Sequence, residues 1–185
     1  MSASCAEIIA NPVLNSLANS LLGRGKRCRS ILVSTMELMV LGNGQADQML
    51  HRDFDSWYYF KRSREFNTLF SANIAMCDFS STNGATVVVP GSTLWPDDRK
   101  ARDDEKCLAT MTKGSALLYS GDVLNGGGSN TEDVMRTGFY IGYIPSWLHG
   151  LENHMVSNGP GVVEQFDEDV QALLDKVPEG FTVVP

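Results

Sequence analysis

Short β-prone runs follow one another from Ser30 to Ile144, and glycine or asparagine separates most of them. Ser30–Leu41 is rich in Ile, Leu, Val, Thr and Met and closes on Gly42-Asn43-Gly44, a strong turn signal. Tyr58–Phe60, Asn67–Asp78, Ala85–Val89, Ser115–Tyr119 and Gly138–Ile144 are further candidate strands. Many short strands joined by turns favour an antiparallel barrel or double-sheet jelly roll over a parallel α/β sheet. The chain has no dinucleotide-binding glycine fingerprint, no Walker loop and no repeat of fixed period.

Helical patterns flank this β region. From Ala6 to Leu22 the residues Ile8, Ile9, Val13, Leu14, Leu17 and Leu21 recur at helical spacing, with Gly23 and Gly25 as stop signals. Gly161–Val177 sets Val163, Phe166, Val170, Leu173 and Leu174 on one helical face and acids on the other, the pattern of an amphipathic helix packed on the outside. Leu94–Thr112 is charged and helix-friendly, starting at Trp95-Pro96-Asp97-Asp98 and turning at Lys113-Gly114. With 185 residues, 43% of them apolar, the chain is expected to form one domain, with its β core at about residues 28–145.

A formal charge of −7 argues against nucleic-acid binding and against a membrane-surface role, both of which usually need a basic face. The basic cluster Arg24, Lys26, Arg27 and Arg29 reads as a solvated loop before a strand. The first twenty residues do not resemble a signal peptide, and the apolar run Ile31–Leu41 carries Glu37 and is too short to span a bilayer. Cys5, Cys28, Cys77 and Cys107 are scattered and form no CxxC pair, so reduced thiols in a cytoplasmic protein are expected.

Two constellations carry chemistry. In Gln48-Met49-Leu50-His51-Arg52-Asp53 an extended backbone would point His51 and Asp53 to one face, which supplies half of a metal site. Non-haem iron(II) centres use two histidines and one carboxylate on one face of the ion and leave the other positions open. An ordinary strand pair, with His51 hydrogen-bonded and Asp53 in a turn, is the plainer alternative. The second constellation is Asn125-Gly126-Gly127-Gly128-Ser129-Asn130 with Arg136 downstream. Its glycines permit a tight bend or a close backbone approach, and Arg136 could clamp a carboxylate or form a surface ion pair.

The order LHRD, NGATVVVPGS at Asn83–Ser92, KGSALLYSGD at Lys113–Asp122, GGGSN with a downstream arginine, and SWLHGLEN at Ser146–Asn153 resembles the phytanoyl-CoA dioxygenase family over roughly Met36–Val177. The resemblance implies a double-stranded β-helix, cupin-like, that holds iron(II) and 2-oxoglutarate and oxidises a small organic substrate. It matches His51 and Asp53 to metal ligands, Arg136 to the arginine on the far carboxylate of 2-oxoglutarate, Gln48 to a residue that helps hold the cosubstrate, and Trp57 to the substrate side. The family motif reads HGGG, with arginine eleven positions after the histidine. Here Arg136 keeps that spacing, but Asn125 stands where the second histidine ligand belongs. His149 and His154 follow the last core strand and read as exposed or packing residues.

Three functions follow from this departure. One is an iron(II)/2-oxoglutarate dioxygenase-like enzyme of specialised metabolism acting on a hydrophobic small molecule, its metal site weakened but completed by Asn125 or a water. Another is a non-oxidative isomerase or cyclase using His51, Asp53, Tyr119 and Asp122 as acid/base groups. The third is a catalytically inactive subunit that binds an active relative. Self-association, as a homodimer, or pairing with a related subunit is expected to cover the apolar core surface that the short N-terminal part leaves open.

Overall fold

The computed structural model describes residues 2–23, 30–53, 67–159 and 161–174. The expected strand Tyr58–Phe60, the basic cluster at Arg24–Arg29, Cys28 and Trp57 lie outside these residues. The elements are α1 (Ala3–Ile9), α2 (Pro12–Leu22), β1 (Ile31–Leu41), β2 (Phe70–Ala75), β3 (Thr86–Val88), β4 (Cys107–Leu108), β5 (Ala116–Ser120), β6 (Asn125–Gly127), β7 (Arg136–Pro145), α3 (His154–Ser157) and α4 (Glu168–Leu173). The chain is mainly β, as expected, with helices at the two ends.

The strands form two sheets, one in the order β1-β7-β2-β5 and one in the order β4-β3-β6. Pairing is antiparallel between β2 and β5, β3 and β4, and β3 and β6. Side chains of both sheets converge on Thr86: its hydroxyl accepts from Asn73 Nδ2 of β2 and from Arg136 Nη2 of β7, each at 3.0 Å. The described residues gather into two compact units, one running from Met36 to Gly142 and the other formed by the residues up to Thr35 and from Tyr143 onward.

In the first of these, Leu69, Phe70, Ala72, Ala75, Phe79, Ala85, Val89, Phe139 and Ile141 are buried. In the second, Ile9, Leu14, Ala18 and Leu22 of the helices are buried, as are Ile31–Val33, Val163, Val170 and Leu174. His154 is buried there with its Nε2 at 3.2 Å from the Val33 carbonyl, a packing histidine, whereas His149 is exposed.

Three expectations are corrected. The single helix over Ala6–Leu22 is two, because Pro12 lacks an N–H and its ring would clash with the carbonyl four residues earlier. Asn11 begins the second helix by accepting from the Val13 and Leu14 amides at 3.0 and 3.1 Å, with Pro12 at the first helical position, where its missing N–H costs nothing. Leu94–Thr112 is not helical. It holds two short 3-10 turns, Ser92–Leu94 at its start and Asp103–Glu105 within it, and Cys107 and Leu108 pair with Val88 and Val87. The helix expected over Gly161–Val177 is, in its described part up to Leu174, a 3-10 turn at Val163–Gln165 followed by the shorter α4. Among the described residues no helix is long and apolar enough to cross a membrane, and Cys5, Cys77 and Cys107 are free thiols.

Candidate active site

Residues 48–53 do not form a regular strand. A single antiparallel bridge joins His51 to Asn125, each accepting from the other's amide at 2.9 Å. Gln48 adds a second tie, its amide donating to the Gly127 carbonyl at 2.9 Å and its Oε1 accepting from the Gly127 amide at 2.7 Å. Close approach, rather than a hairpin turn, explains the glycine run: a Cβ at Gly128 would lie 2.6 Å from the Ala85 carbonyl oxygen, a distance no side chain tolerates.

This pairing brings three of the expected residues together. His51 Nε2 lies 3.5 Å from Asp53 Oδ1, and Asn125 Nδ2 donates to that same oxygen at 3.0 Å. The His51 side chain is 48% exposed and that of Asp53 only 12%, so the cluster opens outward on the imidazole side. His51 Nδ1 lies 2.9 Å from the Met49 carbonyl. A carbonyl can only accept, so Nδ1 carries a proton, and Nε2 is the ring nitrogen left facing Asp53. A histidine anchored this way is oriented to ligate a metal.

Strands β2 and β7 supply neighbours that local sequence patterns did not reveal. The hydroxyls of Ser71 and Tyr140 each lie 3.3 Å from Asp53 Oδ2 and 3.0 Å from each other. Tyr119, placed opposite Ser71 by the β2–β5 register, joins the same group. Burial first, and the Asp53 charge second, push both the Tyr119 and Tyr140 phenols up, so both remain protonated donors. Tyr140 is four residues beyond Arg136, which puts it on the same face of β7 by the two-residue period of a strand, and that spacing was a readable signal.

Arg136 sits deeper, 1% exposed, with its guanidinium carbon 3.9 Å from the centre of the Phe79 ring. Its Nη2 donates to Thr86, and its buried Nε has no hydrogen-bond partner among the described residues. Asn73 Oδ1 is likewise buried and unpartnered. Burial lowers the Arg136 pKa from its ordinary value, the expected effect of low dielectric on a cation. Arg52, between His51 and Asp53, turns away from them, its guanidinium donating to the main-chain carbonyls of Ser92 at 2.9 Å and of Asp122. Asp122 thus enters through its backbone, and Gln48 through its hold on β6.

The groups implied by the family resemblance fit unequally. A buried guanidinium with an unpartnered Nε suits a carboxylate of 2-oxoglutarate. The iron(II) position does not fit a three-ligand centre as the side chains stand. His51 and Asp53 offer lone pairs, but Asn125 presents N–H groups, which a cation repels. Among the described residues no group of three or more His, Cys, Asp and Glu side chains could hold a metal ion.

Comparison with known proteins agrees with the motif order. The family profile for phytanoyl-CoA dioxygenase (PhyH) matches residues 2–138. Dioxygenase aneA of Aspergillus aculeatus is 32% identical over 158 residues, covering 80% of this chain and 51% of that protein. Dioxygenase ALT11 of Alternaria alternata is 28% identical over 171 residues, covering 90% of this chain and 57% of that protein. The chain therefore spans about half the length of these relatives. Among solved structures, the epimerase SnoN in complex with Fe3+, alpha ketoglutarate and nogalamycin RO superposes with a TM-score of 0.61 at 19% identity, over 87% of this chain and 67% of that one. EctD from S. alaskensis with bound Fe gives 0.63 at 17% identity, over 81% and 57%. These two establish the jelly-roll fold. Profile, motif order and fold agree that the chain belongs to the phytanoyl-CoA dioxygenase family.

Proposed function

We propose that this chain is an iron(II)/2-oxoglutarate dioxygenase-like enzyme of specialised metabolism, acting on a hydrophobic small molecule, with its metal site impaired at one position. The observation that carries the reading is the convergence of His51 Nε2 and Asp53 Oδ1, 3.5 Å apart, opposite Asn125, with Arg136 buried on the same strand as Tyr140. The rings of Tyr119 and Tyr140 beside Asp53 suit an apolar substrate, and the family resemblance adds Trp57 as a substrate residue. Arg136 and Gln48 are assigned to the cosubstrate. The fungal relatives named as dioxygenases support the reaction class.

The test is an anaerobic titration of metal-free protein with iron(II), with and without 2-oxoglutarate, read by the visible charge-transfer band of the chelated cosubstrate. Asn125→His is expected to raise iron affinity by about tenfold or more and to strengthen the band. An affinity equal to that of the unaltered chain would mean that position 125 does not face the metal, and the reading fails.

One observation favours a second reading, a non-oxidative isomerase or cyclase. Asp53 is fully engaged by Asn125, Ser71 and Tyr140 beside an imidazole, so an acid/base cluster exists without a metal. Turnover of a candidate substrate in chelator and without oxygen would select it.

A further inference from the structure

The reading above makes position 125 a weakened ligand position; the following rests on that reading and concerns what the asparagine does there. We infer that Asn125 is a hydrogen-bonded latch that competes with a cation for Asp53, not an oxygen ligand that completes the site.

The orientation of the amide follows from its neighbours. Asn125 Nδ2 lies 3.0 Å from Asp53 Oδ1 and 3.3 Å from the Val123 carbonyl. A carboxylate and a carbonyl can only accept, so the group between them is the NH2 end. The opposite orientation would set an amide oxygen against two oxygens and leave buried acceptors facing each other. Asn125 is 5% exposed, so water is a poor substitute for either contact.

The backbone allows no easy escape. Both main-chain hydrogen bonds of the bridge to His51 fix where the Asn125 side chain starts, and its flank in β6 pairs with β3. For the amide oxygen to face a metal, both hydrogen bonds of Nδ2 must break and the amide must turn over.

Asp53 meanwhile is complete without a metal. The amide N–H serves Oδ1, and the Ser71 and Tyr140 hydroxyls serve Oδ2. An incoming cation therefore meets a carboxylate whose near oxygen is already taken, and removing the amide frees it. This reverses the sign expected of a ligand: truncating Asn125 leaves metal affinity unchanged or improves it.

Two measurements decide. In metal-free protein, thermal midpoints of the unaltered chain, Asn125→Ala, Asp53→Ala and the double variant form a cycle. The double variant is expected to lose less than the summed single losses by about two degrees or more, the mark of a direct contact. Additive losses overturn the inference. Should Asp53→Ala not fold, the side-chain amide of Asn125 in 15N-labelled protein, assigned by its absence from Asn125→Ala, takes its place. A strongly displaced amide proton supports the latch, and the position of a free amide overturns it.

In the second measurement, anaerobic iron(II) titration of Asn125→Ala is expected to match or exceed the unaltered chain. A fall of about threefold or more identifies Asn125 as a ligand and overturns the latch. The cycle decides even where iron uptake is too weak to rank. Asn125→His separates the two ideas: a gain there with a fall in Asn125→Ala sinks the latch alone, whereas no gain with histidine sinks the underlying site.

Discussion

His51 and Asn125 face each other across one antiparallel bridge, exchanging both main-chain hydrogen bonds at 2.9 Å. In a pair of this kind the Cα atoms are about 5.5 Å apart and both side chains leave the same face. Whatever residue stands at 125 is therefore delivered to one point opposite the imidazole. Its chemistry can change with no change in the path of the chain.

Arg136 provides a test in which binding and stability move separately. Its guanidinium is buried, and among the described residues no carboxylate pairs with it; it meets the Thr86 hydroxyl and the Phe79 face. Burying a charge without a counter-ion costs stability, so Arg136→Met is expected to leave the thermal midpoint unchanged or higher. Titration of 2-oxoglutarate in excess iron(II) should at the same time show affinity reduced about tenfold or more. A lower midpoint with unchanged binding would remove Arg136 from the cosubstrate site.

Gly138 is kept free of a side chain by what surrounds it. A Cβ there would lie 2.8 Å from Asn73 Oδ1 and 3.0 Å from the tip of the Phe79 ring. Gly138→Ala is expected to destabilise the chain by about 1–3 kcal/mol, the usual cost of forcing an extra methyl into a packed interior. Urea denaturation measures it, and a change within about 0.5 kcal/mol would show that Phe79 and Asn73 give way freely.

Glu132 gives a pH dependence with a definite sign. Its carboxylate accepts from the Thr82 and Ser80 hydroxyls, which lower its pKa from an ordinary 4.5. A group with a depressed folded pKa contributes stability that is fully present above the unfolded value and lost as pH falls through the folded one. The stability difference between the unaltered chain and Glu132→Gln should be constant above about pH 5 and shrink progressively below 4.5. A difference that grows on acidification would contradict the assignment.

The parts of the site that could be read from sequence are those set by spacing along the chain. His51 and Asp53 are two residues apart, and Arg136 follows Asn125 by eleven, so short-range geometry and motif spacing brought them into view. Ser71 and Tyr140 reach Asp53 from 18 and 87 residues away, and their meeting depends on the order of β7, β2 and β5 in the sheet. No local pattern encodes that order. Strands β1, β2, β3, β5 and β7 were legible because glycine and asparagine punctuate most of them, whereas β4 and β6 were not expected.

The helices were less so. Hydrophobic spacing runs through Pro12 without a break, although the ring imposes one. In Leu94–Thr112 the composition favours a helix, yet pairing of Cys107 and Leu108 with β3 prevails. That is a tertiary contact overriding local propensity.

Arg52 has a consequence for how this segment can vary. Its guanidinium grips the carbonyls of Ser92 and Asp122 on one side, while its two neighbours in sequence present His51 and Asp53 on the other. Sliding the segment by a single residue would push the guanidinium into the open cluster and drive an imidazole or a carboxylate into the place now filled by a cation. Insertions and deletions between His51 and Asp53 are thus barred by the charge behind them, and change in this part of the protein is confined to substitution in place.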